Sequence, residues 1–241
     1  MPSGPRHGRH GTTDGPELHR RSQEFLVATP PPPGYAKTMT PLLLATHNTH
    51  KTAEVRAILG TAFTVSDLTS WPDAPEPEET GATFSANAAI KALAASRLAG
   101  PETWVLADDS GLEVDILGGA PGVYSARYSG RHGDNAGHRT KLLAELTLLN
   151  ARGHDRRARF RCVLALAKAG NIIAEFEGSV EGHIAPMERG TGGFGYDPLF
   201  IPDGACASFG ELPETTKNEL SHRARALASF CAWWPTAASG Q

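Results

Sequence analysis

The chain has 241 residues, 40% hydrophobic and 20% charged, with a formal net charge of −3. That is enough for one full domain with a large core, and it gives no electrostatic reason to expect duplex nucleic acid, which is bound through many phosphate-neutralising Lys and Arg side chains. No stretch reaches the roughly 20 apolar residues needed to cross a bilayer, which points to no membrane partner. Cys162, Cys206 and Cys231 lie far apart with no CxxC pair, which argues against a disulfide framework or a structural zinc. With no signal peptide at the N-terminus, their odd count points to a reducing, cytoplasmic interior.

Residues 1–38 are dominated by Gly, Pro, His and Arg, show no apolar period and contain a proline run at 30–33, so they are expected to be disordered. Met39 stands immediately before the first strand-like run, and translation starting there is a second reading of that segment. One domain is expected over 39–235, with a short tail at 236–241. Residues 42–45 are a short apolar run, and Val55, Ile58 and Leu59 repeat at helical spacing after the polar loop 46–50. This is strand, loop, helix, the opening of an α/β domain.

Residues 62–65 read as a second strand, 70–81 as an acidic, Pro-containing loop, and the Ala-rich 83–98 as a helix. A buried strand over 104–107 runs into Asp108-Asp109-Ser110-Gly111. Residues 118–122 are irregular and 138–149 helical, while 158–167 and 172–177 form a hairpin turning at 169–171. The chain closes with a helix over 221–233 whose packed face is read as Ala224, Leu227, Ala228 and Cys231.

Five segments gather chemistry-bearing residues. Thr46, His47, Asn48, Thr49, His50 and Lys51 form a polar loop at a helix start, where unpaired N–H groups and the positive end of the dipole suit a phosphate. Capping by Asn48 or Thr49 explains that composition equally well, and the absence of GxxxxGK[ST] excludes a P-loop. Asp108 and Asp109 end a buried strand, where neighbours point to opposite faces and only one need face a site. Such a carboxylate can hold magnesium or take a proton from water, whereas Asp-Ser-Gly is also ordinary turn chemistry.

Glu78 and Glu79 lie in the acidic loop and either lend a carboxylate to a metal shared with Asp109 or are simply solvated. Gly190, Gly192 and Gly195 make a formal GxGxxG. A dinucleotide fold needs a helix next, yet Pro198 and Pro202 follow in an apolar, strand-like run, which excludes that reading. The glycines still allow close approach to a ligand, and Phe194 or Tyr196 offers a ring for a base. Ser221 reads as an N-cap that puts His222 and Arg223 in a first helical turn, where positive charge opposes the dipole and is better explained by a ligand.

Taken in order, segments 44–51, 107–115, 119–130, 190–200 and 221–223 resemble the inosine triphosphate pyrophosphatase family. The resemblance implies an α/β fold with an elongated mixed sheet and flanking helices in two lobes, the active site in the cleft between them, usually as a homodimer. It implies magnesium-dependent hydrolysis of ITP, dITP and XTP to the monophosphate and pyrophosphate, keeping these nucleotides out of DNA and RNA. Residue by residue, it makes Asp109 the general base and a Mg2+ ligand and Glu78 the other metal-binding acid. It gives Thr46, His47, Asn48, Thr49, His50, Lys51 and Lys217 to the triphosphate and sets Ser110 against substrate. Phe194, Gly195, Tyr196, Asp197, His222 and Arg223 take the base, and Asn87 and Lys91, four apart on one helix face, reach the phosphates.

This chain carries His47 where the family commonly has Gly, and a bulky ring there is expected to alter how the loop wraps the phosphates. A related enzyme acting on pyrimidine nucleotides would share the fold and the carboxylate chemistry, but the Ser-His-Arg and Phe-Gly-Tyr-Asp segments argue against it. A nucleotide sensor without turnover is the reading from another class.

Overall fold

A computed structural model of the chain describes residues 40–71 and 73–234. The expected disordered segment 1–38, the alternative start at Met39 and the tail 236–241 lie outside the described residues. In chain order the elements are β1 (Thr40–Leu44), α1 (Thr49–Leu59), β2 (Phe63–Asp67), α2 (Phe84–Ala99), β3 (Trp104–Val114), α3 (Asn135–Leu148), β4 (Arg157–Lys168), β5 (Asn171–Ile184), β6 (Phe200–Pro202), α4 (Glu214–Leu220) and α5 (His222–Trp233). Six strands form one mixed sheet in the order β2-β1-β3-β4-β5-β6. β1 runs parallel to β2 and β3, and the remaining pairs are antiparallel. The parallel pairs need crossovers, which α1 and α2 provide, whereas β4 and β5 need only a two-residue turn. Ala169 (φ 51°) and Gly170 (φ 74°) supply it, both in the left-handed conformation that such hairpins use.

Three expectations are corrected. Residues 108–111 do not turn. They continue β3, with Asp108, Asp109 and Ser110 in register with Leu164, Val163 and Cys162 of β4, so long-range pairing overrides local turn preference. β5 runs on past residue 177 to Ile184. Gly178 lets it pass beneath α5, because a Cβ there would stand 2.2 Å from the His222 carbonyl oxygen. Finally, Ala228 and Cys231 of α5 are exposed, whereas Ala224 and Leu227 are buried as expected, and the main stripe of the buried side is Arg223, Ala226, Leu227 and Phe230. Those positions keep the i, i+3, i+4, i+7 spacing of a packed helix face.

The core divides along the sheet. At the parallel end, Leu42, Leu44, Leu106 and Leu164 pack beneath Val55 of α1 and Leu227 and Phe230 of α5. On the opposite face Leu43, Val105 and Val163 meet Phe84, Ala88 and Ala92 of α2. Alternation along each strand produces the two faces. At the far end of the long strands, Leu112, Phe160 and Val180 pack with Leu142 and Leu146 of α3 and with Leu199, Phe200 and Phe209. These are the two lobes, each side chain contributing roughly 1.5–3 kcal/mol on full burial, and residues 108–111 lie between them.

Candidate active site

A cleft of about 870 Å³ is lined by the loop before α1, the acidic loop 75–79, Lys91, the middle of β3, residues 194–197, Lys217, His222 and Arg223. All five segments singled out in the sequence meet there, around a volume suited to a nucleotide-sized ligand.

The two aspartates of β3 diverge. Asp108 Oδ1 accepts hydrogen bonds from Lys51 Nζ at 2.6 Å and Ser110 Oγ at 2.7 Å, and Oδ2 accepts from Arg223 Nε at 2.8 Å. Burial opposes its ionisation, but Arg223 and Lys51 overcome that and hold the carboxyl well below the usual carboxylate range. Arg223 also bonds Glu54, and Lys217 Nζ lies 2.5 Å from Glu54 Oε1 and 2.6 Å from Asp197 Oδ2. Glu54 is lowered, its burial outweighed by Arg223 and Lys217. Asp197 is raised, because burial outweighs Lys217. Glu54 escaped the sequence reading; the available signal was an acid one helical turn after Lys51, on the face that α1 buries.

On the other side of β3, Lys91 Nζ donates to Asp109 Oδ1 at 2.6 Å and to Glu79 Oε1 at 3.0 Å, and Arg127 donates to Glu79 Oε2 at 2.9 Å. Asp109 Oδ2 is buried with no hydrogen-bond partner among the described residues. Burial pushes the Asp109 carboxyl up, against the pull of Lys91, the direction a general base requires. The acid turned toward Asp109 is thus Glu79, whereas Glu78 is exposed at the cleft rim. Neighbours in an extended loop point opposite ways, and Lys91 and Arg127 draw Glu79 inward. Asn87 anchors this loop, its Oδ1 accepting from Gly81 N at 2.8 Å. No group of three or more His, Cys, Asp or Glu at metal-binding spacing occurs among the described residues. Two carboxylates already bridged by an ammonium, one with an unpartnered oxygen, do fit a hard, oxygen-seeking cation.

The loop before α1 is self-organised. Asn48 is the N-cap, its Oδ1 accepting from His50 N at 3.0 Å and Lys51 N at 3.2 Å, and Thr46 Oγ1 accepts from Asn48 N at 3.1 Å. Capping therefore accounts for Asn48. His47 turns toward the acidic loop, with Nδ1 3.2 Å from Glu76 Oε1. Thr49 and His50 are exposed.

Phe194 stacks on His50 with ring centres 5.4 Å apart, and Lys217 Nζ lies 4.8 Å from the Phe194 ring centre. Gly193 shapes this corner: its φ is +67°, and a Cβ would stand 2.1 Å from Asp197 Oδ2. Gly195 is tied to α3 through its carbonyl, which accepts from Arg139 at 2.9 Å. Tyr196 is not a stacking surface. It is buried, and its hydroxyl donates to the Ser125 carbonyl at 3.0 Å.

His222 is not a positive charge at the start of α5. It is buried against the Phe160 ring, 4.8 Å between centres, and burial followed by Arg223 pushes its pKa well below the ordinary histidine value. The cation in that turn is Arg223, and its partners Asp108 and Glu54 explain it without a ligand.

Fold and site together define a mixed-sheet α/β protein with a nucleotide-sized cleft lined by carboxylates, lysines and the Phe194 ring. The model of the Ham1 family matches residues 42–233, and the chain belongs to that family. Among curated relatives, a "dITP/XTP pyrophosphatase" of Geobacter sulfurreducens is 49% identical over 191 residues, covering 79% of this chain and 94% of the relative. One of Streptomyces avermitilis is 46% identical over 192 residues, covering 78% and 94%. The solved structure of a HAM1 protein from Coxiella burnetii superposes with a TM-score of 0.70 at 38% identity, covering 80% of this chain and 98% of that one. The Staphylococcus aureus Ham1 protein gives 0.69 at 35%, covering 80% and 97%.

Proposed function

We propose that this protein hydrolyses the non-standard purine nucleoside triphosphates ITP, dITP and XTP to the monophosphate and pyrophosphate, removing them from the nucleotide pool. The names of its relatives support the substrate class. The observation that carries the chemistry is Asp109, buried, raised in pKa, and holding one oxygen without a partner beside two lysine-bearing walls. Water attacks the α-phosphorus, the bond to the bridging oxygen breaks, and pyrophosphate leaves. Asp109 takes the water proton at Oδ2. Lys51 and Lys91 neutralise charge that develops toward the leaving group, and Phe194 stacks the base.

Glu79 and Asp109 would hold a magnesium ion, which supplies charge neutralisation at the phosphoryl oxygens. The homodimer and the cytoplasmic location belong to the same proposal. Light scattering and cell fractionation test them. No helix among the described residues is long and apolar enough to cross a membrane.

The test is magnesium-dependent product release from ITP, XTP, GTP and ATP, with and without added inorganic pyrophosphatase. Pyrophosphate from ITP and XTP, with GTP and ATP at least about tenfold slower, roughly 1.4 kcal/mol in barrier, is the expected outcome. Release of single phosphate would place attack at the γ-position and overturn the mechanism. Binding without turnover would make the protein a sensor.

A further inference from the structure

The buried ion pairs on the Asp108 side form one alternating chain. Lys51 pairs with Asp108, Asp108 with Arg223, Arg223 with Glu54, Glu54 with Lys217, and Lys217 with Asp197. Three cations thus face three carboxylates. Of these six members the proposed hydrolysis uses only Lys51, and Glu54 stands between the two cations nearest Phe194. Lys217 Nζ is 4.8 Å and the Arg223 guanidinium carbon 5.8 Å from the centre of that ring. Both Glu54 oxygens are occupied, one by each cation, and its side chain is nearly inaccessible, so water screens little of its charge.

We infer that Glu54 is a positioning residue that sets the charge of the base subsite, holding Lys217 and Arg223 in place and neutralising them so that the subsite accepts an uncharged 6-oxopurine. This rests on the function proposed above and adds a determinant of selectivity to it. The second oxo group of xanthine makes its ring more acidic than hypoxanthine, so at mildly alkaline pH XTP carries an anionic base where ITP carries a neutral one. A balanced subsite gives that anion no advantage. Removing the Glu54 charge leaves one excess positive charge beside Phe194 and favours XTP, and removing the Lys217 charge does the reverse.

The experiment compares kcat/KM for XTP and ITP at pH 7.5 in the full-length wild type, Glu54→Gln, Glu54→Asp and Lys217→Gln. Glu54→Gln is expected to raise the XTP:ITP ratio about tenfold and Lys217→Gln to lower it by a similar factor, the scale of a unit charge felt across several ångströms in a poorly screened site. Glu54→Asp keeps the charge and is expected to hold the ratio within about twofold of wild type, whatever happens to absolute rates. Generic structural damage does not move the ratio in opposite directions. If Glu54→Gln does not fold, the Lys217→Gln arm decides alone, and a ratio unchanged or raised there overturns the inference. Wild-type hydrolysis of both substrates with a ratio fixed across the variants sinks the role of Glu54 alone. Hydrolysis of neither by wild type sinks the proposed function with it.

Discussion

Asp108 and Asp109 are neighbours on β3, yet their carboxylates enter separate ion-pair systems, Asp108 with Lys51 and Arg223 and Asp109 with Lys91. Alternation along the strand is the cause. One carboxylate is saturated with donors and held ionised. The other is desolvated with an oxygen to spare.

Opposite effects of amide replacement follow. Asp109→Asn is expected to lower kcat by about 10²–10⁴ through loss of the base, with stability unchanged or slightly higher. A carboxyl raised on folding contributes stability below its unfolded pKa, and that contribution is lost as pH rises through the folded value, so at neutral pH the ionised form costs stability and the amide does not. Asp108→Asn is expected to cost about 3–5 kcal/mol, because it leaves Arg223 and Lys51 without their shared counter-ion. Urea unfolding beside steady-state kinetics measures both, and equal stability losses in the two variants would refute the division of roles.

Magnesium dependence should separate Glu79 from Glu78. Glu79 shares Lys91 with Asp109, whereas Glu78 is exposed. Glu79→Gln is expected to raise the magnesium concentration for half-maximal activity by about tenfold or more, since hard cations depend on anionic oxygen ligands. Glu78→Gln should shift it by less than about threefold. A larger shift from Glu78 would return the metal role to that residue.

The two aromatic residues of the base loop should also part. Phe194→Ala is expected to raise KM about tenfold with kcat little changed, since stacking a base on a ring contributes about 1–3 kcal/mol. Tyr196→Phe removes a buried hydrogen bond to Ser125. It should cost about 1 kcal/mol of stability and leave KM alone. Denaturant titration and Michaelis curves on both variants decide it.

Mild acid should reveal His222. Its folded pKa is depressed, so its contribution is fully present above the unfolded value of about 6.5 and declines as pH falls below that. The wild type is expected to lose up to about 1.4 kcal/mol per pH unit between pH 6.5 and 5 from this residue, the slope of one proton taken up on unfolding. His222→Gln should flatten that part of the profile. Asp108 adds its loss only below its ordinary value of 3.8, outside this window. An unaltered slope in His222→Gln would show that the ring is not buried neutral.

Much of this protein was legible residue by residue. The strand-loop-helix opening, the hairpin at Ala169 and Gly170, and the caps at Asn48 and Ser221 are local events, decided by side chains within a few positions of one another. The five motif segments identified the family and the cleft's lining because their order and composition are properties of the chain itself. The tertiary structure alone decided that Glu79 and not Glu78 turns inward, that Asp108 and Asp109 enter separate ion-pair systems, that His222 is neutral, that Tyr196 belongs to the core, and that Asp108 continues a strand where a turn was equally open.

Glu54 shows why. Its partners Lys217 and Arg223 lie 163 and 169 residues away in sequence, and no window around position 54 contains them. Burial and charge pairing are sums over neighbours in space. Sequence determines the residues and their local geometry, and the pairing of β3 with β4 and the docking of α5 over Gly178 determine which charges share a low-dielectric interior and must balance there.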